Sequence, residues 1–195
     1  MAATDTKDTI LDAAESLFAE QGYAGTSVRD ICTDADASVP MISHYFGGKK
    51  GLLDAVLGQL SGDTFQVPMR ILAGDLKSGE EFRTKLELFI SETFAVLISL
   101  APVFRIITRE GGEFADLSRV HGALADFLGQ AQTKGFVRDT LVPELTTGLI
   151  LDRLGNQVLF AINPTYKGPS VLSDEAYRAE WLAANTEALI NGFGT

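Results

Sequence analysis

The 195-residue sequence predicts an all-α fold: a small N-terminal helical unit joined to a larger helical bundle. Three observations carry this. Apolar residues recur at helical spacing along nearly the whole chain. No segment shows the period-two alternation of a half-buried strand, and none carries a hairpin signal between two such segments. Gly- and Pro-containing breaks cut the chain into pieces of helix length.

The first helix, over 5–20, places Ile10, Ala14, Leu17 and Phe18 on one face. Asp5, Asp8 and Asp12 lie in its early turns, where the helix dipole favours negative charge. Gly22 stops it. Thr26 or Ser27 then caps a short helix with Val28, Ile31, Cys32 and Ala35 on one face. Asp34-Ala35-Asp36-Ala37 makes a turn. Ser38 caps a third helix, which tolerates Pro40 in its first turn and ends near Phe46, at Gly47-Gly48. A fourth runs from Lys49 to about Leu60. Longer helices follow at about 64–74, 80–100, 102–110, 114–134, 143–163 and 173–192. The division expected from this pattern is 1–50 and 51–195.

Composition bounds the function. Sixteen Lys and Arg stand against 26 Asp and Glu, a net charge of −10. That balance disfavours a nonspecific nucleic-acid binder. One cysteine excludes a disulfide framework and a multi-cysteine zinc site. Cys32 itself reads as a small buried hydrophobe. The longest uncharged stretch, Leu154 to Tyr166, is 13 residues, shorter than the roughly 18 a membrane span needs. The polar start MAATDTKDT is no secretory signal. The expectation is a cytoplasmic protein with no membrane association. The two histidines, His44 and His121, fall in different halves and in no metal-ligand spacing. There is no Gly-x-Ser-x-Gly elbow, P-loop or dinucleotide fingerprint, so neither an enzyme nor a cofactor is expected.

The short helices two and three, joined by about four residues, fit a helix-turn-helix. In that arrangement the third helix protrudes. Val39, Met41, Ser43 and His44 face outward, and Ile42 and Phe46 face the core. An ordinary three-helix packing module has the same spacing.

Residues 10–23, Ile-Leu-Asp-Ala-Ala-Glu-Ser-Leu-Phe-Ala-Glu-Gln-Gly-Tyr, resemble the first helix of TetR-type transcriptional repressors. Thr26-Ser-Val-Arg-Asp-Ile31, His44-Tyr-Phe46, Lys49 and Leu52-Leu53 continue the pattern over about 8–57. The resemblance implies a bacterial, homodimeric repressor that binds a palindromic double-stranded operator and is released by a small hydrophobic or amphipathic effector. It implies that Thr26 caps the second helix and meets a phosphate, and that Ser38 offers its hydroxyl or backbone amides to another. Val39, Pro40 and Met41 would face base edges. Ser43 stands on the same helix, His44 and Tyr45 would touch bases or phosphates, and Lys49 would anchor the DNA backbone.

Three positions depart from the family. Val39 replaces a common Lys or Arg, Asp36 a turn Gly, and Ser43 a Tyr. Asp tolerates the left-handed conformation such a turn needs. Residues 1–50 hold 4 basic and 8 acidic residues, a net of −4. Few phosphate contacts and a shallow salt dependence follow. Val39 and Met41 cannot make the bidentate hydrogen bonds that read guanine or adenine, but can meet thymine methyls. An operator read through such contacts and through DNA shape is therefore expected. The alternative function is a dimeric small-molecule-binding or protein-interaction module whose DNA-reading unit has decayed.

In the bundle, 145–162 and 181–193 are charge-poor and apolar on more than one face. They read as two central helices of a monomer or as half of a four-helix dimer interface, and the resemblance favours the second. Its expected residues are Leu149, Asp152, Gly155, Leu159, Trp181, Ala184 and Ala188. Phe65, Met69, Phe89, Phe94, Phe104, Leu124 and Phe127 either fill a core or line a cavity. The resemblance places an effector site there, with Arg105, Arg109, His121 and Asn156 as its polar candidates. For His121 a locally bonded, half-buried side chain is the competing reading, and for Arg105 and Arg109 surface pairing with Glu110 and Glu113.

Overall fold

The computed structural model describes residues 3–59, 62–111 and 117–192. Ten α-helices are described: α1 (Ala3–Gly25), α2 (Val28–Asp34), α3 (Val39–Phe46), α4 (Lys49–Leu57), α5 (Gln66–Leu72), α6 (Gly79–Ser99), α7 (Ala101–Glu110), α8 (Ser118–Thr133), α9 (Pro143–Ile162) and α10 (Glu175–Asn191). A short 3₁₀ turn, Gly62–Phe65, precedes α5. No strand occurs among the described residues. The expected helices are all present. The expected starts at 114 for α8 and end at Leu60 for α4 fall outside the described residues.

The chain forms two compact units. The first takes in residues 1–60 and also 100–115. It therefore reaches past residue 50, and it includes α7, which the sequence assigns to the bundle. Its core is Ile10, Ala14 and Phe18 of α1, Ile31 of α2, Ile42 of α3, Leu52 and Val56 of α4, and Val103 and Ile106 of α7. The α1 face read from the sequence is this core face, with Leu17 half-buried at its edge. α7 is strongly amphipathic, burying Val103, Phe104, Ile106 and Ile107 while Arg105 and Arg109 stay exposed.

The second unit holds the 3₁₀ turn, α5, α6 and α8 to α10. Leu86, Phe89, Ile90 and Phe94 of α6, Leu124 and Leu128 of α8, and Ile150 and Leu154 of α9 are fully buried. Two ring pairs mark the layers: Phe82 on Phe127 at 5.4 Å, and Phe94 on Trp181 at 4.9 Å. No single described helix is long and apolar enough to cross a membrane.

Candidate nucleic-acid interface

The first unit is built outward from a break. α1 leaves helical geometry at Gly22 (φ 77°, ψ 166°), a conformation open to glycine. A break strands backbone groups that need partners. Here five of them are met by side chains. Thr26 donates its hydroxyl to the carbonyls of Leu17 (3.1 Å) and Gly22 (2.9 Å). Arg109 Nη1 donates to the Glu20 carbonyl at 3.2 Å, and the Tyr23 amide donates to Glu110 Oε1 at 2.9 Å. Lys49 Nζ donates to the Tyr23 carbonyl and lies 4.2 Å from the centre of the Tyr23 ring.

One implied role is corrected by this geometry. Thr26 is not the cap of α2. It is 2% exposed, and its hydroxyl is turned to α1. Ser27 is the N-cap, closing a reciprocal box: the Asp30 amide donates to Ser27 Oγ at 3.1 Å, and the Ser27 amide to Asp30 Oδ2 at 2.8 Å. Hydrogen bonds from the Ser27 side chain and amide to the carboxylate hold the Asp30 carboxyl below its ordinary range. Lys49, expected to reach toward DNA, has its ammonium engaged inside the unit.

Asp36 adopts φ 47°, the one positive value outside glycine among the described residues, so the turn before α3 takes the left-handed form that Asp tolerates. Ser38 stands at the N-cap of α3 with no side-chain capping hydrogen bond. Pro40 sits in the first turn, and Gly47 (φ 73°) closes the helix. Ile42 is completely buried and docks α3 on the core. The opposite face is open: Ser38, Pro40, Ser43 and His44 are exposed, Val39 is 46% exposed, and Met41 and Tyr45 are half-buried. His44 packs edge-on to Tyr45 at 5.2 Å, and Lys7 Nζ lies 5.9 Å from the Phe46 ring. Phe46 is thus half-buried rather than a full core residue. Cys32 is partly buried, and that burial raises its thiol pKa, away from the reactive range.

A protruding, uncapped helix held by one buried isoleucine after a tight left-handed turn is helix-turn-helix geometry. Residues 10–56 match the model for bacterial regulatory proteins of the tetR family. The N-terminal unit is thus similar to the DNA-binding part of tetR-family regulatory proteins. The chain is 32% identical over 88 residues to the HTH-type transcriptional repressor KstR2 of Rhodococcus jostii, covering 45% of this chain and 41% of that one. It is 27% identical over 147 residues to the repressor NicS of Pseudomonas putida, covering 71% and 69%. The matched stretch thus spans about two fifths of KstR2. The solved structure of the ketosteroid transcriptional regulator KstR2 of Mycobacterium tuberculosis aligns with a TM-score of 0.65 at 21% identity, over 97% of this chain and 95% of that one. The likeness of fold to that structure therefore extends beyond the N-terminal unit.

The remaining sequence candidates distribute as follows. Phe65, Phe89, Phe94, Leu124 and Phe127 are buried in the second unit, where Met69 and His121 are half-buried. Phe104, Arg105 and Arg109 belong to the first unit instead, through α7. The Arg105/Arg109 spacing was legible, but its destination was not, because the Tyr23–Glu110 contact joins residues 87 positions apart. Asn156 is exposed on α9. It lines a surface groove of about 560 Å³ with Leu149, Asp152 and Phe160 of α9 and Trp181 of α10. Leu145, Leu149 and Phe160 are 68%, 69% and 56% exposed along one side of α9. Gly155 and Leu159 are half-buried on the same helix, and Ala184 and Ala188 are exposed on α10. Asn185 ties the two helices: its Oδ1 accepts from Arg153 Nε, and its Nδ2 donates to the Trp181 carbonyl at 2.6 Å. Among the described residues, no group of three or more His, Cys, Asp or Glu could hold a metal.

Proposed function

We propose that this chain is a transcriptional repressor that binds a palindromic operator as a homodimer and releases it on binding a small hydrophobic or amphipathic effector. The observation that carries the reading is the exposed face of α3, with Ser38, Val39, Pro40, Ser43 and His44 presented on a helix docked by Ile42. Such a helix enters the major groove with its N-terminal residues at the base edges. Met41 and Tyr45 flank that face.

The exposed side of α9 supports the homodimer reading. A row of exposed leucine and phenylalanine side chains on a soluble helix is a surface in want of a partner. Its continuity with the groove at Trp181 supports a two-helix contribution from each chain. The effector reading rests on the aromatic core of the second unit, around Phe65, Phe89, Phe94, Leu124 and Phe127, with His121 at its margin. An effector acts only if it prefers the conformation that does not fit the operator.

Electrophoretic mobility shift with the DNA upstream of the chain's own gene tests the reading. A discrete shifted band that survives excess nonspecific competitor is expected. No retardation at micromolar protein would overturn it in favour of a binding module with a decayed DNA-reading unit.

A further inference from the structure

We infer that Glu110, with Arg109, is a positioning residue for DNA recognition: the last turn of α7 locks the break in α1 from which the recognition helix is hung. The inference rests on the DNA-binding reading above and adds a site of control that lies outside the helix-turn-helix sequence.

The break at Gly22 sets the direction in which the chain leaves α1, and everything up to α3 follows from it within 17 residues. Thr26 and Lys49 secure the break from within residues 1–50. The other two partners come from far along the chain. Arg109 takes the Glu20 carbonyl and Glu110 takes the Tyr23 amide, one on each side of Gly22. Both side chains occupy the space that only glycine leaves open. A Cβ on Gly22 would stand 2.7 Å from Arg109 Nε and 2.9 Å from Glu110 Oε1. The Arg109 guanidinium also lies 3.9 Å from Glu110 Oε1. α7 itself is anchored by five buried residues, so the pair is presented from a fixed element.

α7 starts two residues after the end of α6. The segment that grips α1 is therefore a second covalent link, besides α4, between the DNA-reading unit and the chain that builds the bundle.

Charge and position make opposite forecasts for Glu110, which gives a clean test. Residues 1–50 are already net −4. Removing a carboxylate beside them strengthens DNA binding if charge alone matters. It weakens binding if the carboxylate positions the break. An operator sequence is first selected from a random DNA library with the wild-type protein. Affinity is then measured for Glu110→Ala and Glu110→Gln across a salt series, and exchange of the Tyr23 amide is followed by NMR. We expect Glu110→Ala to lose about 10-fold in affinity with an unchanged salt slope, and to exchange Tyr23 faster. Glu110→Gln keeps the acceptor oxygen, removes the charge, and should bind at least as tightly as wild type. Glu110→Ala binding as tightly as wild type or tighter, with wild type selecting an operator, overturns the inference and leaves the repressor reading standing. Selection of no sequence by wild type overturns both. Loss of binding in both variants with intact helix content also overturns it, because a neutral acceptor should have sufficed.

Discussion

At the scale of single residues, the unit is held by polar groups that each finish a helix end. Ser27 and Asp30 do this for α2. Ser27→Ala removes the cap to the Asp30 amide and should cost about 0.5–2 kcal/mol, a fall of roughly 2–4 °C in melting temperature per kcal/mol. The pH dependence has a definite sign. The Asp30 carboxyl titrates below its ordinary value because Ser27 hydrogen bonds favour the charged form. Its contribution is therefore present above the unfolded value, near 3.8, and lost as pH falls through the lowered one. The wild-type advantage over Ser27→Ala should narrow in that acid window, measured by thermal unfolding at pH 7 and near pH 3 in the same salt. A constant advantage would mean the cap works without Asp30. The sequence left Thr26 and Ser27 as equal candidates because both are hydroxyl residues before an apolar run. Only the Gly22 break, which turns Thr26 inward, separates them. Asp36 was easier to read: its tolerance of positive φ is a local property of the side chain, and the turn took that form.

At the scale of elements, helix periodicity carried most of the fold. Ile10, Ala14, Phe18, Ile31 and Ile42 are core, as their spacing said. α7 shows where periodicity stops informing. Its apolar stripe told that one face is buried, but not which unit buries it, since that depends on contacts between residues far apart in the chain. α3 carries the readout prediction. The positions we propose for the groove include Val39 and Met41, which offer methyl contacts rather than hydrogen bonds. Val39→Ala and Met41→Ala should each weaken a selected operator by about 4-fold per buried carbon removed, and should relax preference at thymine positions. The salt slope should stay put, because neither residue neutralises a phosphate. Fluorescence anisotropy with operator variants measures all three. Affinity insensitive to both substitutions would remove apolar readout from the account.

At the scale of the whole molecule, acidity and DNA recognition have to be reconciled through assembly. One helix-turn-helix with few phosphate contacts binds weakly, and Lys49 is engaged internally. Two linked copies gain through effective concentration, by about 10²–10⁴ over a single one. Leu145 and Leu149 lie one helical turn apart on the outer side of α9 and are more than two-thirds exposed. They stand outside the core of the chain, so changing them should spare its fold. The double substitution Leu145→Arg, Leu149→Arg places like charges where two copies of α9 would meet in the proposed homodimer. It should convert a species of twice the 20.9 kDa chain mass into one of 20.9 kDa in light scattering. Operator affinity should fall by at least about 100-fold while helix content and melting of the isolated chain stay near wild type. Because the two leucines bind no DNA themselves, that loss reports assembly alone. If the variant became monomeric and bound the full operator as tightly as before, recognition would belong to a single α3, and the exposed face of α9 would serve some other partner.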